Sequence, residues 1–350
     1  MERAVYRIID ANVNRAGEGL RLVEEFCRFA LNCPELACRA RRLRHDLSAA
    51  VCGLGAGRLM AARDTVGDVG IEPGPASMDR RTTLGDCLGA AFKRVTEALR
   101  TISEMVKTVD QKTAGEIDSL RYGTYTLEKD VFFFGDGSQR FKRVKLYVII
   151  PAGDVRGAAR LAAECASGGA DCIQLRAEGL SDDDFMTIAA EFVRVCKGAG
   201  VLGIINDRVD IAVAAGADGV HLGEADLAVE HARKLQLSPL IIGRTAHDFE
   251  EIRAACGQLP TYVSVGPVFP SPTKPLLKPA GLDYVGRACR QLDSAGIAHV
   301  AIGGITLRNV RDVMAAGARA VAVCSASVAA ADPAAACRQL RAEIASFYPD

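Results

Sequence analysis

Residues 202–226, LGIINDRVDIAVAAGADGVHLGEAD, contain an apolar run, a short helical stretch and a second apolar run, each run ending on polar residues. LGIIN and GVHL are too short for helices and are bounded by turn-forming residues, which marks them as buried strands. The segment between them carries apolar positions at helical spacing. A strand–helix–strand unit of this kind joins parallel strands. Asn206 and Asp207 end the first run, and His221 through Asp226 end the second.

The unit recurs on both sides. Strands are predicted at Lys145–Ile150, Asp171–Arg176, Leu202–Asn206, Gly219–Leu222, Pro239–Arg244, Tyr262–Val268, His299–Gly303 and Ala320–Cys324. Stretches such as Arg156–Ser167 and Asp182–Lys197 carry the helical period between them. Eight regular units in about 200 residues fit an α/β fold of the (β/α)8 TIM-barrel kind better than a doubly wound sheet. Such a barrel gathers its site at the C-terminal strand ends. Those ends supply Gln174 and Arg176, Asn206 and Asp207, Asp226, Arg244 and Thr245, then Ser271, Thr273 and Lys274 in the loop FPSPTKP, Gly303-Gly304, and Cys324-Ser325.

Residue type suggests the chemistry. Asp207 and Asp226 follow neighbouring strands, and two carboxylates without a His or thiolate cluster suit Mg2+, which keeps waters and bridges to substrate phosphates. Arg176 and Lys274 can neutralise a diphosphate, with Asn206 and Thr245 adding directional hydrogen bonds. The glycine-rich strand ends offer backbone N–H groups to a second phosphate. Two anion sites, one with metal, imply two phosphorylated substrates. Each aspartate is equally a candidate helix cap, the Ser-Pro-Thr-Lys loop a stiffened turn, and His221 and His247 structural residues at the barrel rim.

Upstream the pattern is helical. Residues 1–135 read as an all-α domain, 136–143 as a linker within the polar stretch FGDGSQRFKR (134–143), and 144–350 as the barrel. The helical half contains a repeat: residues 14–25, NRAGEGLRLVEE, align 79 positions on with residues 93–104, KRVTEALRTISE, and Leu43-Arg44 has its counterpart in Leu120-Arg121. This is a duplicated helical hairpin. Val13, Ala16, Leu20, Val23, Cys27 and Ala30 form the stripe expected to bury. Glu18, Arg21 and Glu25 form a polar stripe matched by Glu97, Arg100 and Glu104, either a solvent face of ion pairs or a shared polar cleft. Between the hairpins, residues 58–86 are rich in Gly, Pro, Asp and Arg and too long for a tight connection. Arg63, Asp64, Thr65 and Asp68, with Gly67 and Gly70, could take an anion and a divalent metal.

The chain has 350 residues and 43 basic against 43 acidic ones, so its net charge is zero. That balance offers no long-range field for nucleic acid or membrane, and no apolar stretch nears the ~20 residues that span a bilayer. Small-molecule substrates are the expected partners, with the oligomeric state, a homo-oligomer included, left open. The 12 cysteines include no C-x-x-C pair, and most read as small buried hydrophobes in a reducing compartment. The N-terminus has neither signal- nor transit-peptide character, so cytoplasm is the expected location.

The strings QLR (174–176), NDR (206–208), GVHLGEAD (219–226), GRTAHDFEE (from 243), GPVFPSPTK (266–274), IGGIT (302–306) and VCSA at the last strand resemble the thiamine phosphate synthase family across residues 143–350. The resemblance implies condensation of 4-amino-2-methyl-5-(diphosphooxymethyl)pyrimidine with thiazole phosphate (carboxylate), releasing pyrophosphate. It implies Mg2+ on Asp207 and Asp226, and the pyrimidine diphosphate on Gln174, Arg176, Asn206, Thr245 and Lys274. Thiazole phosphate would lie on Ser271, Thr273, Gly304, Cys324 and Ser325. Glu178 also falls in the diphosphate set, where the family usually has lysine. A thiazole tautomerase on the same fold is the rival for the barrel. The strings DANVNRAGEGLRLVEEFCRF, ARDTVGDVG and SLRYGTYTLEK resemble a helical domain associated with hydroxymethylpyrimidine phosphate kinase activity, which implies ATP as co-substrate and Mg2+. No GxxxxGK[ST] loop is present. Arg15, Glu18, Arg21, Arg63, Asp64, Asp68, Arg94, Glu97 and Arg100 are its candidate site residues. The alternative is a non-catalytic dimerisation or interaction module.

Overall fold

The computed structural model describes residues 1–69, 81–236, 238–271 and 277–347. The chain divides into two units, Met1–Phe132 and Phe133–Asp350.

In the first unit, α1 (Glu2–Glu25) leads through a π-helical turn (Phe26–Ala30) to α2 (Pro34–Cys52) and α3 (Ala56–Ala62), and α4 (Leu84–Val106) precedes α5 (Gln111–Phe141), whose residues from Phe133 on belong to the second unit. The start of the segment expected as a connection, from Arg58 to Ala62, is therefore helix. Ala16 and Leu20 of α1 bury with Val95, Leu99 and Ile102 of α4 in one core, and Val23 is buried as well. Ala30 is exposed against expectation and Leu31 is buried instead. The cause is the wider turn: Leu31 N–H donates to the Phe26 carbonyl at 3.1 Å, five residues back, which moves the apolar stripe on by one position. A capping box starts α4, with Asp86 N–H donating to Thr83 Oγ1 at 3.1 Å and Thr83 N–H to Asp86 Oδ2 at 2.9 Å.

The stretch expected as a linker is helix as far as Phe141. Its glycines look like breakers, but Phe134, Ser138 and Phe141 keep a helical period and are buried. A Cβ on Gly137 would meet Thr261 Oγ1 at 3.1 Å, so the glycine serves close packing and not a turn.

In the second unit, eight parallel strands close in sequence order into a barrel: β1 (Leu146–Pro151), β2 (Cys172–Arg176), β3 (Leu202–Asn206), β4 (Gly219–Leu222), β5 (Ile241–Ala246), β6 (Tyr262–Val265), β7 (Ala298–Ile302) and β8 (Val321–Val323). Helices alternate with them, from α6 (Val155–Ser167) and α7 (Asp182–Ala199) through α8 (Val209–Ala214), α9 (Val229–Leu235), α10 (Phe249–Gln258), α11 (Gly281–Ser294) and α12 (Val310–Ala315) to α13 (Ser325–Val328) and α14 (Pro333–Ala345). Strand residues alternate between two cores. Val148 and Ile150 face the helix layer, whereas Tyr147, Ile149, Cys172, Ile204, Ile241, Tyr262 and Val300 fill the barrel with Phe141. β3 and β4 have the expected bounds, β1, β2, β7 and β8 differ by one residue at one or both ends, and β5 and β6 differ most. β5 begins after Pro239 and runs on to pair Thr245 with Ser264 and Ala246 with Val265. β6 stops at Val265 because Pro267 has no N–H for the ladder.

Gly19 and Gly17 of α1 should respond oppositely to alanine. A Cβ on Gly19 would lie 2.5 Å from Val95 Cγ2 and 3.1 Å from the Ala91 carbonyl, whereas nothing lies within 4 Å of one on Gly17. Gly19→Ala is expected to cost about 1–3 kcal/mol through overpacking, and Gly17→Ala to gain up to about 1 kcal/mol of helix propensity. Urea unfolding followed by helical circular dichroism gives both signs; equal shifts would refute the close α1–α4 approach.

Candidate active site at the strand ends

Gln174 stands in β2, 2% exposed, and its Nε2 donates to Asn206 Oδ1 at the end of β3 at 3.0 Å. Arg176 ends β2 and pairs through Nη2 with Glu178 Oε1 at 2.8 Å; Glu178 is 76% exposed. Asp207 adopts a left-handed backbone (φ 62°) and its N–H donates to the His221 carbonyl at 2.8 Å, which fixes the turn off β3 against β4. Asp226 lies in the turn after β4, where Oδ2 accepts the Gly223 N–H at 2.6 Å. Because Asn206 is in register with His221 on adjacent parallel strands, both aspartates leave neighbouring strand ends.

Thr245 lies within β5. Its Oγ1 is 3.0 Å from His221 Nε2, while His221 Nδ1 is 3.0 Å from the Tyr262 hydroxyl, itself 2.9 Å from the Tyr147 hydroxyl. Ser264 Oγ donates to Thr245 Oγ1 at 3.4 Å. Burial pushes both tyrosines well above the usual phenol range. At neutral pH this column of side chains is therefore held by neutral hydroxyls. A Cβ on Gly243 would lie 2.2 Å from the Tyr262 ring, so only glycine leaves room for that ring beside β5. A small cavity inside the barrel is lined by Tyr147, Ile149, Gln174, His221, Tyr262 and Ser264, with Val300, Ile302 and Ala322.

The expected second anion site falls on the loops after β6, β7 and β8. Gly304 has a left-handed backbone (φ 64°), and a Cβ there would lie 2.5 Å from the Pro270 carbonyl, which brings the loop holding Ser271 against the end of β7. Cys324 precedes Ser325, the first residue of the four-residue α13. Burial raises the Cys324 thiol while the Arg176 charge opposes the rise; β8 and β2 both pair with β1. Thr273 and Lys274 lie outside the described residues.

Parity along the strands could have found Tyr147, Ile149, Tyr262 and Ser264, because each is two residues from another inward position; sequence reading stopped at the strand ends. His221 was read as a rim residue. It stacks on Tyr262 inside the barrel, ring centroids 5.5 Å apart.

In the helical unit, Arg15, Glu18, Arg21, Arg94, Glu97 and Arg100 are exposed. Arg21 pairs with Glu25 at 2.7 Å and Arg100 with Glu104 at 2.9 Å, each one turn along its own helix. Arg63 instead grips the buried Asp10 of α1 through two hydrogen bonds of 2.8 Å. Arg7 Nη2 donates to the Asp64 carbonyl at 2.6 Å, and Asp64 Oδ1 accepts the Gly67 N–H at 2.8 Å. Asp68 is exposed and Gly70 lies outside the described residues. The 63–64 segment thus docks on the first half of α1, about 16 Å along the helix from Arg21 at 1.5 Å per residue. Sequence reading missed Asp10 and, one turn beyond Arg21, Glu24. Burial alone would raise Glu24, but hydrogen bonds from Arg41 and Arg44 outweigh it and hold the carboxyl below its ordinary range.

The family model for thiamine monophosphate synthase matches residues 146–327, and that of the ThiD2 family matches residues 7–130. The chain belongs to the thiamine monophosphate synthase family. A thiamine-phosphate synthase of Nostoc punctiforme is 36% identical over all of this chain and 97% of its own length. One of Synechocystis is 38% identical over 99% and 98%. A thiamine phosphate pyrophosphorylase from Pyrococcus furiosus, a solved structure, is 31% identical with a TM-score of 0.54, covering 60% of this chain and 99% of that one. The family match thus falls on the barrel, and the full-length relatives also carry the helical unit. Among the described residues no helix is long and apolar enough to cross a membrane.

Glu24 makes a pH prediction. A carboxyl whose folded pKa is depressed adds stability that is present above its unfolded value, near 4.5, and is lost as pH falls through the lower folded value. Urea midpoints taken from pH 7 to 3 should fall more steeply below 4.5 in the wild type than in Glu24→Gln, which should be weaker at pH 7. Parallel curves would remove Glu24 from acid stability.

Proposed function

We propose that the barrel joins the pyrimidine methylene of 4-amino-2-methyl-5-(diphosphooxymethyl)pyrimidine to the ring nitrogen of thiazole phosphate (carboxylate), giving thiamine phosphate and pyrophosphate, with CO2 also lost when the thiazole carries its carboxylate. One observation carries this reading: the family match falls on a closed barrel whose strand ends bear Arg176, Asp207 and Asp226 beside the hydrogen-bonded Gln174–Asn206 amide pair. The amide pair suits the edge of an aminopyrimidine, and the charged strand ends suit a diphosphate. Gln174 and Asn206 would orient the heterocycle, and the His221–Tyr262 pair would hold the Thr245 hydroxyl towards the diphosphate.

Asp207 and Asp226 fit Mg2+ because two oxygen-donor side chains from adjacent strand ends leave most of the six positions to waters and diphosphate oxygens. When bound, the ion would supply charge neutralisation for the departing pyrophosphate. The protein's own part is electrostatic and positional. The C–O bond breaks with its electron pair leaving on pyrophosphate, the amino group stabilises the pyrimidine cation, and the thiazole nitrogen donates the pair that forms the new C–N bond. No proton must be removed, which agrees with a His221 held between two hydroxyls. Arg176 would turn from Glu178 to the diphosphate; an exposed pair is worth only about 0–1 kcal/mol, so the exchange costs little. Ser271, Gly304 and Ser325 would hold the thiazole phosphate. The enzyme would act in the cytoplasm.

For the helical unit we propose phosphoryl transfer from ATP to hydroxymethylpyrimidine phosphate, again with Mg2+, which makes the diphosphate that the barrel consumes. The ThiD2 family match over residues 7–130 supports it.

Pyrophosphate release from the two purified barrel substrates should require Mg2+. Asp207→Asn and Asp226→Asn should each lower kcat/KM by about 100-fold or more, on the scale of a lost charge-stabilising group. Arg176→Ala should act mainly on the KM of the diphosphate. Release without either carboxylate would sink the assignment. Separately, the full chain given ATP, hydroxymethylpyrimidine phosphate and thiazole phosphate should form thiamine phosphate; no ATP-dependent product, with the barrel active on ready-made diphosphate, would leave the helical unit a non-catalytic module.

A further inference from the structure

Glu24 is a carboxylate only 1% exposed on which three guanidinium groups converge: Arg41 Nε at 2.9 Å, Arg44 Nη2 at 3.2 Å and Arg21 Nη1 at 3.7 Å. One carboxylate carries a single negative charge, and three guanidinium groups exceed it. Both oxygens of Glu24 are engaged and face the helix interface. The side chains of Arg21 and Arg41 are 51% and 50% exposed, so their outer N–H groups reach solvent. Arg44 Nε is buried with no acceptor, an unmet donor at the same spot. Glu25 offsets part of the charge through an exposed one-turn pair with Arg21. A net positive charge remains on groups already oriented by a buried anchor.

The internal repeat supplies a comparison. In the second copy Glu24 is replaced by Ser103, Arg41 by Asp118 and Arg44 by Arg121. There Asp118 pairs with Arg121 at 3.3 Å and Tyr125 takes a further hydrogen bond, so that copy's one arginine has its partners, although the buried Ser103 hydroxyl has none. The hairpins share their buried stripe but differ in charge at this point. Packing does not demand the arginine excess, since the other copy packs without it. The π-helical turn that follows Glu25 is a further irregularity of the kind found beside functional groups.

We propose that Arg21, Arg41 and Arg44, gathered on Glu24, bind a phosphate group of an organic phosphate ester. Arg41 and Arg21 would grip it from the solvent side and Arg44 from below, in the forked geometry that guanidinium groups offer phosphate oxygens. The two sources of that group, a pyrimidine phosphomonoester and ATP, follow from the kinase reading of this unit, on which the choice of ligands rests.

The test uses the full chain and an arginine-selective reagent, phenylglyoxal, with peptide-resolved mass spectrometry. Hydroxymethylpyrimidine phosphate, ATP and inorganic phosphate are added in separate arms. Modification of Arg21 and Arg41 should slow at least severalfold, while the exposed Arg160 and Arg194 react unchanged. Stronger protection by the monoester, or by ATP, names the ligand. No protection, or equal slowing at the control arginines, overturns the site. Arg41→Ala leaves Arg44 on Glu24 and should fold; the concentration that half-protects Arg21 should rise about tenfold, the loss of one charged hydrogen bond, and an unchanged value would refute the site. ATP-dependent turnover is read independently: turnover without protection removes the site and keeps the kinase, and protection without turnover does the reverse.

Discussion

Phe141, at the end of α5, lies flat on Tyr262 in the barrel, ring centroids 4.0 Å apart and planes 4° from parallel. The Tyr262 ring occupies space that Gly243 leaves open. Its hydroxyl then meets both Tyr147 and His221, and His221 meets Thr245. One stacked pair at the closed end of the barrel is thereby connected, through side chains with almost no freedom, to a hydroxyl at the end where chemistry is expected. A buried phenol without a partner costs about 1–3 kcal/mol, so every member of the column constrains the next.

That constraint explains where sequence reading misplaced structure. The stretch 134–143 has two glycines and several polar residues, the ordinary marks of a linker. It is helical because Phe134 and Phe141 have a core to enter, and a local pattern carries no information about that core. The strand ends shifted at β5 and β6 for a different reason: proline cannot donate to a ladder, and the neighbour's register decides how far pairing runs.

The two units show opposite relations between pattern and site. In the barrel, polar residues at strand ends were legible because parallel βα units put all those ends on one face. In the helical unit the visible polar stripes, Arg21 with Glu25 and Arg100 with Glu104, are exposed pairs along single helices. The polar residues that hold elements together there, Asp10 and Glu24, lie among apolar neighbours and break no period that a sequence search follows. Their partners, Arg63 and Arg41, come from other elements.

The sequence by itself determined the eight strands, their parallel order, the repeat in the first half and the polar residues that end each strand, because these are local and follow periods of two or about 3.6 residues. Only the tertiary structure decided that Tyr147 meets Tyr262 across 115 positions and that Gln174 meets Asn206 across 32. It also decided that three arginines close on Glu24. Such contacts are set by barrel closure and helix packing, which fix distances in space that separation along the chain does not encode.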